Sequence, residues 1–183
     1  MISAVRNLET REALLLAFFA TFVVLARAAM RWHLHISGHS MLTNVLLLVL
    51  ARACVERAAA ATIAGTLAGL ACAALGMGSG GPLIVLKLAL PGLMVDLGWK
   101  RLAPVRNHLS RGALLGACAG ATHFLPVALV EGLAGLAASV VLGHALFAAG
   151  TKAAFGAAGG ALGMAIAVRL RHHGVITQAR PTR

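Results

Sequence analysis

HLHISGHSMLTN (residues 33–44) is the densest polar and imidazole-bearing stretch found between two apolar runs, with residues 13–29 on one side and 41–55 on the other. The flanking runs read as helices that cross a bilayer. A polar, histidine-rich segment between two such helices reads as the mouth of a binding site set into a membrane, and the remaining helices as the walls that build and shield it.

Composition supports this outward from the stretch. Hydrophobic residues make up 60% of the 183, and the mean hydropathy is +0.88. Only 11% are charged, against roughly 25% in soluble domains, and a soluble core could not absorb so much apolar surface. The expected fold is an all-α integral membrane protein with one transmembrane domain over residues 1–183. The net charge of +11 raises the question of nucleic acid. However, the charges stand singly or in small groups between apolar runs and there is no Tyr to stack on bases, so no nucleic-acid partner is expected. Cys54, Cys72 and Cys118 lie in apolar, small-residue surroundings without paired spacing and read as packing residues. Arg6 and Arg11 ahead of an apolar run, with Ala26-Arg27-Ala28 beyond it, resemble a secretory leader. Glu9 and Glu12 in the leader, and an arginine within the cleavage site, argue for a retained first helix instead.

Six helices are expected, at residues 12–30, 40–55, 58–75, 82–97, 109–125 and 142–170, with a flexible tail over 171–183. The second is short and starts within a funnel. Gly76-Met-Gly-Ser-Gly-Gly-Pro82 breaks the chain between the third and fourth, and Pro82 suits a first helical position. Residues 127–141, apolar but carrying Glu131 and several glycines, read as an outer loop with a short helix. The distribution of basic residues tests the count. With the N-terminus in the cytoplasm, Arg6, Arg11, Arg52, Arg57, Lys100, Arg101, Arg106, Arg111, Arg169, Arg171, Arg180 and Arg183 fall inside. Only Arg27 and Arg31 fall near the outer face. Twelve against two supports six spans with both termini cytoplasmic. Glycines recur every fourth residue at 65/69, 112/116/120, 156/160 and 159/163, a spacing that lets helix backbones approach closely in lipid.

Ionisable residues within spans are costly and by default mark function. Lys87 falls in the fourth helix, about a turn and a half from its outer end. His123 falls near the outer end of the fifth, and His144 and Lys152 in the outer half of the sixth. Asn44 lies one turn into the second, below His39 and Ser40. Each has a plainer reading: His39 and His144 as interfacial residues, the lysines snorkelling to headgroups, His123 as a satisfied interior imidazole. As a set in the outer half of the bundle, Asn44, Lys87, His123, His144, Lys152, His39 and Ser40 read as a substrate pocket, with His33 and His35 in a lid. A metal site on His33, His35 and His39 is the alternative. Two nearby lysines disfavour a cation and suit a carboxylate or another anionic group on an organic ligand. Gly76-x-Gly78-x-x-Gly81 matches a dinucleotide fingerprint in form only, following a membrane helix where a strand is required. No ATP-binding loop and no nucleophile–base–acid set is present, so no cofactor and no enzymatic activity are expected.

The pattern resembles the substrate-binding membrane subunits (S components) of energy-coupling factor transporters. Ala13 and Ala17 form an Ala-x-x-x-Ala pair early in the first helix, as in the motif by which that family docks its transmembrane coupling subunit. Gly-Ala-Ala-Gly-Gly-Ala-Leu-Gly at 156–163, followed by Arg169-Leu170-Arg171, is similar to the family's last helix. Ser37-Gly38-His39-Ser40, with Gly80-Gly81 further on, loosely resembles the cobalt- and nickel-type components. Those carry a metal-binding histidine after the initiating methionine, where this chain reads Met1-Ile2-Ser3. The resemblance implies a multi-pass protein of a bacterial or archaeal cell membrane that captures a vitamin or vitamin precursor. It also implies partners: the membrane lipid, a transmembrane coupling subunit and two cytoplasmic ABC-type ATPases. A divalent transition-metal uptake component, a membrane enzyme and a scaffold stand as alternatives.

Overall fold

The computed structural model describes residues 10–31, 39–55, 57–77 and 83–174, and no strand occurs among them. The helices are α1 (Thr10–Arg31), α2 (His39–Cys54), α3 (Ala60–Ala74), α4 (Leu83–Arg101), α5 (His108–Ala121), α6 (Phe124–Leu133) and α7 (Ala138–His172). Since α5 and α6 form one bent rod, His108–Leu133, the described residues make six rods. Thr10–Ala29, His108–Leu133 and Ala138–His172 are each long and apolar enough to cross a membrane, while α2 and α3 are shorter apolar helices. His33 and His35 of the expected lid, Ser37 and Gly38, most of the glycine break with Pro82 (78–82), and the tail from 175 onward lie outside the described residues.

The largest departure from the expected element boundaries is at residues 127–141. In place of the expected outer loop with a short helix, the rod continues as helix past His123 to Leu133 and only a short turn follows, and α7 begins at Ala138, four residues earlier than expected. Pro126 permits this because it is the third residue of α6, within the first turn, where a missing N–H breaks no intrahelical bond. The bend is made by i→i−3 bonds: His123 N–H donates to the Gly120 carbonyl (3.2 Å) and Leu125 N–H to that of Thr122 (3.2 Å). The rod stops at Gly135, whose φ of +76° is the left-handed conformation glycine adopts without steric cost. Gly135 N–H closes on the Gly132 carbonyl and Leu136 N–H on that of Glu131, which ends the helix in a Schellman turn.

The core is organised around α2, the second-shortest of the rods. Ten of its sixteen residues are buried, among them Val45, Leu48, Val49 and Ala51 with no exposed surface. It packs against α1, α3, α4, α5 and α7. A helix surrounded on all sides needs no polar face, and its sequence carries almost none from Val45 to Ala51.

Glycines fix how closely the outer rods approach. A Cβ placed at Gly112, Gly116 or Gly120 of α5 would overlap the carbonyl oxygen of Gly160, Gly156 or Lys152 respectively. Thus α5 and α7 run antiparallel in near backbone contact, as the glycine spacing predicts. On its other side α7 runs parallel to α2, with Gly159 on the backbone of Leu42 and Gly163 beside Leu46 and Val49. α3 and α4 form a second antiparallel pair, where Gly65 and Gly69 meet the backbone at Leu88 and Val85, and Gly92 meets Ala61 and Thr62.

These registers give the bundle two distinct ends. Glu12 at the start of α1 pairs with Arg57 just before α3 (3.4 Å), and Arg52, Asp96, Trp99 and Arg111 meet at this basal end. The charge of Arg171, at the end of α7, bears on Arg111 and Cys54 there too. Both ends of the described chain are therefore basal. The opposite, apical end carries Arg27, His123 and Lys152, and above it the α6–α7 hairpin stands out as an arm.

Candidate functional site: a cationic cluster at the apical end

Four rods each bring one basic group to the apical end. α1 supplies Arg27, α4 Lys87, α7 Lys152, and the α5–α6 bend His123. The positive charges of Arg27, Lys87 and Lys152 all act on the His123 ring, and those of Arg27 and Lys87 act on Lys152. Arg27 also faces Cys72 of α3, which is fully buried. His123 is only 6% exposed and its Nδ1 is buried without a hydrogen-bond partner. The three cations are half-buried, and the charge of each bears on the imidazole.

Local sequence explains each position. His123 is turned inward because the rod bends there, a bend also marked by the Thr122 hydroxyl bonding the Ala119 carbonyl (2.6 Å). Lys152 is carried by the residue whose carbonyl lies against Gly120, so the glycine contact sets its height one turn below His123. Lys87 lies one turn before Pro91, a fully buried proline within α4. Pro91 lacks the N–H that would bond the Lys87 carbonyl, which loosens α4 just below the cluster.

The remaining expected site residues lie elsewhere. Gly159 faces Leu42 and Gly163 faces Leu46, so Asn44 is level with residue 161 of α7, about 13 Å below Lys152 at ~1.5 Å per residue. It is buried in the core, 5% exposed, with its Oδ1 unpartnered. His144 is eight residues above Lys152, about 12 Å along α7. Its exposed ring makes a close Nδ1–Oε1 contact with Glu131, clasping the two helices of the arm. His39 and Ser40 begin α2 and are half-buried, and the Ser40 carbonyl accepts from the Thr43 hydroxyl (3.2 Å). Ala13 and Ala17 are exposed on the outer face of α1, beside Leu14 and Phe18. Among the described residues no three His, Cys, Asp or Glu side chains converge as metal ligands; His33 and His35 of the alternative metal site lie outside them.

Sequence reasoning missed two features. Arg27 counts in it as a topology signal and as evidence against a cleaved leader, although a charge within an apolar run of seventeen residues (13–29) is itself a site signal. The second is a basal lock. Asp96 accepts from the backbone N–H groups of Ala61 (3.3 Å) and Thr62 (2.7 Å) and from the Thr62 hydroxyl (2.6 Å). It thereby caps the N-terminus of α3, which its own N-cap residue, Ala59, leaves without a side-chain acceptor. Arg52 pairs with the same carboxylate (Nε–Oδ1, 3.3 Å) and donates to the Val55 carbonyl (3.1 Å). The Arg52 and Arg111 guanidiniums both lie over the Trp99 ring, 5.2 and 5.0 Å from its centroid. Arg111 also donates to the Trp99 carbonyl (2.5 Å). These contacts tie α2, α3, α4 and α5 together beneath the cluster.

Compared with protein-family models, curated proteins and solved structures, the chain matches none. The chemistry of its own residues therefore carries the functional reading: cationic groups and an imidazole, gathered from four rods above a closed base, suited to bind an anion.

Proposed function

We propose that this chain is a multi-pass membrane protein that captures a small solute at its apical end. More particularly, we propose that it is the substrate-capturing subunit of an energy-coupling factor importer, taking up a small organic micronutrient such as a vitamin or vitamin precursor. The carrying observation is the convergence of Lys87, His123 and Lys152 at one end of a bundle whose other end is tied together by Arg52, Asp96 and Trp99. On this reading the apical end faces outside, six rods span the cell membrane, and both termini are cytoplasmic. The basic residues gathered at the basal end support that orientation. The chain carries no nucleotide-binding motif, so accumulation against a gradient draws on a transmembrane coupling subunit and two cytoplasmic ATPases. Ala13 and Ala17, exposed on α1, are the docking residues. The subunit itself catalyses no reaction.

Native mass spectrometry of the detergent-purified chain, with elemental analysis, tests this. The expected result is an organic species bound near one per chain without stoichiometric metal. A stoichiometric metal and no organic species, or turnover of a substrate by the purified chain alone, would overturn it.

A further inference from the structure

Among the described residues no acid stands at the apical cluster. The described residues contain three acids, and each is engaged elsewhere: Glu12 with Arg57, Asp96 with Arg52, and Glu131 with His144. The chain's other two acids, Glu9 and Glu56, lie outside the described residues. Arg27 and Lys152 have no ion pair or side-chain hydrogen bond among the described residues. The charges acting on Lys152 and His123 are all positive. Half-buried like charges gathered from separate helices repel one another and are desolvated together, an arrangement that persists in proteins when a ligand supplies the counter-charge.

We infer that the apical cluster binds an organic dianion, a small molecule bearing a phosphate monoester or two carboxylates, with Arg27 and Lys152 as its main charge partners and His123 donating through Nδ1. The inference rests on the capture reading and names the substrate class of the same site. One negative charge would leave either Arg27 or Lys152 uncompensated, whereas two match both. The guanidinium of Arg27 offers a planar fork that fits a carboxylate or phosphate edge, and the ammonium of Lys152 supplies a compact charge. The His123 Nδ1, buried and without a partner, is the kind of polar atom that a bound oxyanion would satisfy. Arg27 becomes a specificity residue: with it an anionic head is held in a defined orientation, and without it only point charges remain.

The test is the thermal unfolding of the full-length chain in detergent, at one pH and ionic strength, in sodium chloride, acetate, succinate or phosphate. The expected result is a midpoint several degrees higher in succinate or phosphate than in chloride, with acetate between. In Arg27→Gln and in Lys152→Gln the dianion rise falls to the acetate level or below, while Arg57→Gln, at the basal end, keeps it. Equal midpoints in all four salts, or a rise undiminished in both apical variants, would overturn the inference. Nanodiscs of phosphatidylcholine with and without phosphatidylglycerol separate a headgroup from a soluble ligand. Stabilisation by phosphatidylglycerol alone, without response to soluble dianions, would make this a lipid site and also overturn the inference. A neutral organic ligand found by mass spectrometry, with no dianion response, would sink the dianion and leave the capture reading standing. A dianion response without any ATP-dependent uptake would do the reverse.

Discussion

Asp96 and Arg52 are withdrawn from solvent together, at 5% and 6% side-chain exposure, and neither tolerates the loss of the other. Asp96→Ala leaves a buried guanidinium uncompensated and uncaps α3, so a loss of about 3–5 kcal/mol is expected, read as a lower unfolding midpoint in detergent. Asp96→Asn restores an acceptor without the charge and is expected to fall between. The apical cations behave oppositely. In chloride, Lys152→Met relieves repulsion without breaking an ion pair and is expected to raise the midpoint; a lowered midpoint would show that Lys152 is compensated in the empty protein. Both expectations separate what is legible from what is not at this scale. That Lys87, His123 and Lys152 are functional candidates follows from charge within apolar runs. That Asp96 belongs to Arg52 and Thr62 does not follow, because those partners sit on other helices and share no local pattern with it.

At the scale of elements, the α5–α7 seam decides how close the rods stand. Gly116→Ala would drive a Cβ into the Gly156 carbonyl, and since backbone faces backbone neither side can yield by a rotamer change. A cost of about 1–3 kcal/mol or more is expected, as a lower midpoint together with a weakened dianion response, because Lys152 is positioned by the same seam. Gly143→Ala is its counterpart. Gly143 is exposed in α7 with nothing near the added Cβ, and the change is expected to stabilise by about 0.5–1 kcal/mol through lost unfolded-state freedom. The α6–α7 arm was the element least legible in sequence. Pro126 and the glycines there are breakers when read locally, yet a proline in a first turn breaks nothing and Gly135 only caps. On α1, replacing Ala13 and Ala17 by leucine is expected to leave ligand binding intact and abolish ATP-dependent uptake; uptake that survived would remove these residues from the docking face.

For the whole molecule, α7 sets the dimensions. Its 35 residues span about 52 Å at ~1.5 Å each, exceeding a hydrocarbon core of about 30 Å by roughly 22 Å. The stretch from Lys152 to Arg169 covers about 26 Å, so the cluster falls near one boundary of such a core when the basal arginines occupy the other. On the proposed topology a cysteine at Ala137 and one at His173, each in a chain with Cys54, Cys72 and Cys118 replaced by alanine, label from opposite sides of a vesicle. Labelling of both from one side would show that α7 does not cross. By itself the sequence determined that the chain is helical and apolar, roughly where the rods lie, that its basic residues segregate to one end, and that glycines at 112–120 and 156–163 mark a packed face. Those properties are local: they depend on hydropathy, helix period and the small size of glycine, which each residue carries wherever it sits. Only the tertiary structure decided that Arg27 joins the lysines, that Asn44 lies a dozen ångströms below them and His144 as far above, and that Asp96 locks the base. These depend on the register between helices distant in the chain, and register is set where backbones touch, at contacts whose partners no stretch of sequence names.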